Sequence, residues 1–397
     1  MTKPRIFINM PYMELGGAER ALLGLLNAID TDRVDVDLFI NQHTGAFMKL
    51  IPKKINLLPE DENYSLIRKQ IVELIKKGKI ALALSRLRAR HEYFRDVSKR
   101  HLEGCFNHYV MNRVIKHLPS LYHLGEYDLA LSFIDPSHIV HEKVLAKKRV
   151  EWLHTDFSVF NMDEKCMNCT WGLDDYIVAV SQDMAERFKL KYPQFASKVI
   201  VIENILSPES VKREAERGEA PEMENYRDAI KILSIGRICY AKYFERIPDI
   251  ALILKREGLK FEWFVVGPGD ASSIMQRAAE LGVESQIHFI GIKDNPYPYI
   301  EACEVYVQPS RREGKSVTVR EAQVMCKPVI ITRYPTSGSQ VIDGVDGLIC
   351  EMDNESVAQA ISDLSHNQEK QQQIINYLRN HDYGNQKEVQ KIYQLIE

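Results

Sequence analysis

Residues 304–332 read EVYVQPSRREGKSVTVREAQVMCKPVIIT: a β-branched and aromatic run, a charged loop holding a glycine, a helix-sized stretch and a second β-branched run. The apolar runs at 304–308 and 328–332 lack the polar alternation of a half-exposed sheet, so both are expected to be buried strands. The charged loop then lies at the carboxyl end of a strand, which is where open α/β sheets bind their ligands. Ser316 is placed to begin the helix, and Glu321 falls on its second turn.

The same alternation extends outward. Runs at 230–235, 261–266 and 286–292 precede this segment, with helices expected at 245–256 and 356–364. Upstream, runs at 5–9, 34–40, 127–134, 149–154, 176–181 and 199–204 repeat the pattern, with a helix at 18–28. Two sets of buried strands interleaved with helices predict an α/β chain of two Rossmann-like, doubly wound domains. The expected divisions are 1–205 for the first domain, 206–228 for a polar surface linker and 229–380 for the second domain. Residues 381–397 would form a final helix crossing back to the first domain, with Val389, Ile392 and Tyr393 on one face.

A chain of 397 residues, 45% hydrophobic and 27% charged, can bury two cores of ordinary size and is neither fibrous nor disordered. Its formal charge of −3 argues against a generally basic nucleic-acid binder. The amino terminus lacks the apolar core of a signal peptide, and no stretch approaches the roughly 18 apolar residues of a membrane span. The expected location is the cytoplasm, with any contact at the inner face of a membrane peripheral. Seven scattered cysteines fit reduced thiols, and the Cys166/Cys169 pair has no second pair with which to build a zinc site. Between 64 and 90, eight Lys and Arg residues stand against the single acid Glu73, with Ile67, Ile71, Leu74, Ile75, Ile80, Leu84 and Leu87 at helical spacing. Such a basic amphipathic helix or helix pair either packs one face on its own domain or rests on anionic lipid.

In the loop after 304–308, the backbone N–H groups around Lys315, Ser316 and Val317 are expected to be free at a helix start. Unpaired donors and the helix dipole favour a diphosphate there, and Gly314 lets the backbone come close. Glu313 and Glu321 beside an anion site make sense if their partners are hydroxyls, because a carboxylate accepts hydrogen bonds from sugar OH groups. A nucleotide sugar offers both features; a solvent-facing helix acid is the other reading of Glu321. In SIGRICYAKYFERI, 234–247, Gly236 ends a strand, Arg237 follows, and Lys242 stands at a helix entrance, so both cations could reach one phosphate pair.

Gly267 and Ile292 lie at the ends of the next two strands, where exposed backbone could meet a base edge. No GxGxxG with its distal acid is present, which weakens a dehydrogenase reading. Gly16 and Gly17 separate the first strand from the first helix, and Glu19 sits in a helical first turn, where an acid serves the helix itself. His154, at the end of the run beginning at 149, either points into a cleft between the domains or is structural. Asp35 and Asp37 make a DxD inside an alternating strand; a solvated strand face explains them, and no metal is assigned.

Taken together, GGAER (16–20), GRICYAK (236–242), NPYPYI (295–300), EGKSVTVRE (313–321) and DGVDGLIC (343–350) resemble the retaining glycosyltransferases of family 4, over nearly the whole chain. The resemblance implies the GT-B fold, two facing Rossmann-like domains with an interdomain cleft. It implies metal-independent transfer of a hexose or N-acetylhexosamine from a nucleotide diphosphate sugar, a UDP-sugar by preference, to a lipid-linked or polysaccharide acceptor. No cofactor beyond that donor is implied. Arg237 and Lys242 would neutralise the leaving diphosphate, Glu313 would hold donor-sugar hydroxyls, and Glu321 would hold the ribose. His154 would lie near the donor sugar, and Gly16 and Gly17 would border the diphosphate and acceptor. Gly314-Lys315-Ser316 departs from the common Gly-Phe-Pro and looks like members that build surface polysaccharide, while Tyr243 replaces a common glycine. Two other readings are a non-catalytic nucleotide-sugar-binding subunit of a transferase complex and another GT-B chemistry such as epimerisation.

Overall fold

The β-branched runs fold into two parallel sheets in the computed structural model, which describes residues 3–14, 16–103 and 105–396. The chain divides into two compact units. The first comprises Met1–Glu14, Leu22–Glu203 and Lys387–Glu397; the second comprises Leu15–Ala21 and Asn204–Gln386.

In the first unit the strands are β1 (Arg5–Met10), β2 (Asp35–Ile40), β3 (Asn56–Leu57), β4 (Glu126–Ser132), β5 (Leu145–Leu153), β6 (Tyr176–Ala179) and β7 (Val199–Val201). Their order is β3-β2-β1-β4-β5-β6-β7, all parallel. Ile6, Phe7, Ile8 and Met10 are all fully buried, as expected for a strand covered on both faces. One of its cores joins Phe7, Phe39, Tyr64 and Tyr127, with Phe39 and Tyr64 edge to face at 4.8 Å.

The second unit holds β8 (Ile230–Ile235), β9 (Phe261–Val266), β10 (Ile287–Phe289), β11 (Val305–Gln308), β12 (Val329–Thr332) and β13 (Leu348–Cys350), ordered β10-β9-β8-β11-β12-β13. Period-two alternation divides its core between the sheet faces. Ile232, Trp263, Val265, Val305 and Val307 pack in one cluster; Leu233, Phe264, Val266 and Tyr306 pack in another. The strand order reverses between β8 and β11, so the loops leaving these two strands bound the crevice where such sheets take ligands.

Two segments differ from the sequence expectation in kind, and the last helix, expected over 381–397, differs in length. The stretch 206–228 carries a helix, Pro208–Glu216, started by Ser207 and burying Val211 and Ala215. Val211 joins Leu206 and Val324 in a small core, so the polar composition describes only the outward face. The basic segment forms three helices, Glu62–Ser65, Ile71–Lys76 and Ile80–Arg100. Tyr64, Leu66, Leu74 and Leu82 pack inward, whereas Val72, Ile75, Ile80, Leu84 and Leu87 stand 44% to 60% exposed. The last helix, Val389–Ile396, buries Val389, Ile392 and Tyr393 within the first unit, where the Asp30 N–H donates to Tyr393 Oη at 2.8 Å.

Candidate functional site

The loops after β8 and β11 are fastened to each other. The Arg311 N–H donates to the Ala241 carbonyl at 2.8 Å, the Arg311 guanidinium donates to the Tyr240 carbonyl at 2.7 Å, and it stacks 3.2 Å above the Tyr243 ring. That attachment brings together two of the residues singled out above: Lys242 Nζ lies 2.7 Å from Glu313 Oε1. Both side chains are mostly covered, at 19% and 13% exposure, so the pair is worth more than an open surface bridge. Ser310 Oγ donates to the same oxygen at 2.6 Å, and the buried Gln308 Nε2 donates to Ser310 Oγ at 3.0 Å. Glu313 is thereby oriented by a chain that runs back into β11.

Lys242 crosses the face of Gly236, where a Cβ would meet Lys242 Cε at 3.0 Å. Gly267 is tighter still: at φ +147°, a Cβ would stand 2.0 Å from the Gly236 carbonyl oxygen. Only glycine lets the ends of β8 and β9 approach this closely. Arg237 is exposed and makes no ion pair among the described residues. Ile292, beyond the end of β10, is 53% exposed.

The helix after the charged loop runs Val317–Val324 with Ser316 as its N-cap and Gly314 buried just before it. The expectation of free amides needs correction at one position. The Ser316 N–H is taken by Gln340 Oε1 at 3.0 Å, while Val317 and its successors open the first turn, where no helical carbonyl is available to them. Lys315 is half-buried. Gln340 carried no local signal; it lies in an unremarkable polar turn 24 residues further along the chain.

Glu321 is not a solvent-facing acid. It is fully buried, with Tyr297 Oη donating to Oε1 at 2.9 Å and Arg20 Nη1 at 3.2 Å from that same oxygen. Burial pushes the carboxyl above its ordinary range, and Arg20 and Tyr297 pull it back. Its Oε2 is buried without a hydrogen-bond partner among the described residues, an acceptor a ligand hydroxyl could satisfy. In the same 15–21 stretch, Gly17 opens the helix Gly17–Ala28 and has open space where a side chain would be, whereas Gly16 presses on the Glu19 carboxylate. Arg20 and Tyr297 lay inside quoted motifs, but nothing local marked them as partners of Glu321.

In the first unit, His154 follows β5. Its ring lies 4.8 Å from Phe133 and parallel to Trp152 at 6.3 Å, it bonds the Phe133 backbone, and its Nε2 is buried without a partner. Burial holds the ring neutral, with its pKa lowered to about 3. Beneath β4 and β5 lies a buried polar network. Ser137 Oγ stands 2.8 Å from Glu151 Oε2 and 3.1 Å from Asp174 Oδ2; His141 meets Asp174 at 2.8 Å and His108 meets Asp135 at 2.6 Å. Asp37 of the DxD is tied to Arg5 at 3.1 Å and to Tyr127 Oη at 2.6 Å, a structural role.

Comparison with known proteins places these geometries in context. Residues 217–381 match the family model for glycosyl transferases group 1. Over 138 residues, 34% of its length, the chain is 27% identical to the lipopolysaccharide core biosynthesis glycosyltransferase LpsE of Rhizobium meliloti. Over 136 residues, 32% of its length, it is 29% identical to the N-acetylgalactosamine-N,N'-diacetylbacillosaminyl-diphospho-undecaprenol 4-alpha-N-acetylgalactosaminyltransferase of Campylobacter jejuni. The chain spans 40% and 34% of the lengths of these two relatives. Among solved structures, HepE of Anabaena in complex with UDP superposes with a TM-score of 0.67 at 16% identity over 98% of both chains. WaaG, a glycosyltransferase involved in lipopolysaccharide biosynthesis, gives 0.67 at 14% identity over 98% of this chain and 99% of its own. The fold is that of the GT-B glycosyltransferases: two Rossmann-like α/β domains, with parallel sheets of seven and six strands.

Proposed function

We propose that the chain is a retaining, family 4 glycosyltransferase that moves a hexose or N-acetylhexosamine from a nucleotide diphosphate sugar to a lipid-linked or polysaccharide acceptor. The observation that carries this reading is the Lys242–Glu313 pair, which joins the loops leaving β8 and β11 at the switch point; the first of these loops carries the exposed Arg237 and the second leads into helix Val317–Val324. A departing diphosphate gains negative charge, and fixed cations and N–H dipoles stabilise that charge without reorganising. Arg237, Lys242 and the amides from Val317 onward supply this. Glu313 accepts from donor-sugar hydroxyls through Oε2, since Lys242 and Ser310 both bond to Oε1. The unpartnered Glu321 Oε2 accepts from the ribose. His154, neutral in its stack, orients the reacting groups by hydrogen bonding rather than by charge. The reading assigns UDP-sugar as donor and no metal to the site. The lipopolysaccharide and diphospho-undecaprenol acceptors named for the two relatives support an acceptor of that general kind.

Glu313→Ala should abolish transfer from a UDP-sugar panel while leaving the thermal midpoint within a few degrees of the parent; unchanged turnover would refute the assignment. A binding subunit predicts donor binding without nucleotide release in the parent chain, so the same assay separates the two.

The proposed location is the cytoplasmic face of a membrane. No helix among the described residues is long and apolar enough to cross one. The exposed row Val72, Ile75, Ile80, Leu84 and Leu87, flanked by Lys76, Lys77, Lys79 and Arg88, suits peripheral contact with anionic lipid. Each basic side chain near such a surface contributes about 1 kcal/mol. Leu84→Glu with Leu87→Glu should release the protein from phosphatidylglycerol vesicles in a sedimentation assay and leave its unfolding unchanged. Retention on those vesicles, or equal binding of the parent to phosphatidylcholine, would remove the membrane from the proposal.

A further inference from the structure

We infer that Gln340 is a positioning residue for the donor diphosphate, acting through the Ser316 peptide; the inference rests on the donor-site reading above. Helix Val317–Val324 is short, and its N-cap makes no capping bond of its own: the Ser316 hydroxyl lies 3.1 Å from Thr318 Oγ1 instead of on a backbone amide. The direction of the first free amides is therefore not set by a local cap. Gln340 sets it from a distance. Its side-chain Oε1 accepts from the Ser316 N–H at 3.0 Å, and its Nε2 donates to the Ser316 carbonyl. That carbonyl also receives the first helical bond, from the Arg320 N–H at 3.3 Å. The amide thus grips both polar groups of the residue from which the helix departs.

Gln340 is itself fixed. It is buried, Tyr334 Oη donates to its Oε1 at 3.0 Å, its own N–H donates to the Ser337 carbonyl at 3.0 Å, and Gln323 Nε2 donates to its carbonyl at 3.3 Å. Tyr334 and Gln323 are equally buried. Only an amide can donate and accept at this place; a carboxylate would keep the Ser316 N–H bond and set an oxygen against the Ser316 carbonyl. Preorganised donors lose effect when their aim is lost, even where the donors remain.

The test is calorimetric titration of uridine, UMP and UDP into the full chain and into Gln340→Leu, Gln340→Glu and Tyr334→Phe. Gln340→Leu should weaken UDP by about tenfold, the worth of roughly one hydrogen bond, Gln340→Glu by more, and Tyr334→Phe by about two- to fivefold. Uridine, which carries no phosphate, should bind all four proteins alike. The role is overturned if UDP binds Gln340→Leu within about twofold of the parent, or if uridine and UDP weaken in proportion, as a general loosening of the unit would cause. Should both Gln340 variants fail to fold, Tyr334→Phe carries the same comparison: a UDP-selective loss supports the role and its absence overturns it. A parent chain that binds no UDP would bring down the donor-site reading and this inference together. Tight UDP binding indifferent to every variant brings down the inference alone.

Discussion

Two strand edges in this molecule treat ionisable groups in opposite ways. Under β4 and β5, the paired His108 and Asp135 apart, burial holds several in their neutral forms: the Glu151 carboxyl is pushed well above its ordinary range, and the His138 and His154 rings are lowered to about 3. At the ends of β8 and β11, Lys242 and Glu313 form an ion pair, and Arg237 faces water. An interior can tolerate titratable groups by suppressing their charge, whereas a site that must meet a diphosphate needs its charge kept. Apart from His154, the first edge is built to hold a shape and the second to hold an anion.

The strongest way to break this contrast is Lys242→Ala. Removing a fixed cation from the leaving-group site should lower kcat/KM by about 10²–10³-fold, with unfolding little changed, as read by product formation and a thermal melt. A loss confined to stability would reassign the Lys242–Glu313 pair to the scaffold. A smaller effect is expected from acid. His138 and His154 have folded pKa values lowered to about 3, so what they contribute is fully present above their unfolded value, near 6.5. It is lost as pH falls from there toward 3. Of the change in unfolding free energy between pH 7 and pH 5, each histidine should therefore account for roughly 1–2 kcal/mol, read from denaturant titration as the part missing in His138→Gln and in His154→Gln; no change in those variants would mean that these rings accept protons without penalty. The smallest effect is expected from Glu151→Gln. A carboxyl with a raised folded pKa contributes fully below its unfolded value, near 4.5, and that contribution fades as pH rises through the folded value. Glutamine imitates the protonated form, so the variant should stay within about 1 kcal/mol of the parent near pH 4 and lose less stability than the parent between pH 5 and pH 8. A steeper alkaline fall in the variant would show that Glu151 is ionised after all.

The paired sheets were legible because strands covered on both faces must be nearly all apolar, and runs such as Phe261–Val266, with the single acid Glu262, carry that requirement openly. The charged loop was legible because Gly236, Arg237, Lys242 and Glu313 sit at strand ends, and the strand ends could be found. What escaped was long-range. Glu321 could be read as a hydroxyl acceptor, but its partners Arg20 and Tyr297, 301 and 24 residues away, could not. Gln340 had no pattern to betray it, since an amide gripping a distant peptide leaves no periodicity. The helix Pro208–Glu216 was hidden by charge on its outward face, with only Val211 and Ala215 turned inward. β3, two residues long, is too short for any periodic signal.

The closing helix Val389–Ile396 has a consequence for how the chain is made. It belongs to the first unit, tied there by Tyr393 to Asp30 and by Lys391 to the Val201 carbonyl, although the whole second sheet intervenes in sequence. On a ribosome the earlier sheet must wait, its last covering piece still unsynthesised, while the later one emerges and can close first. The part translated first is thus the last to be finished.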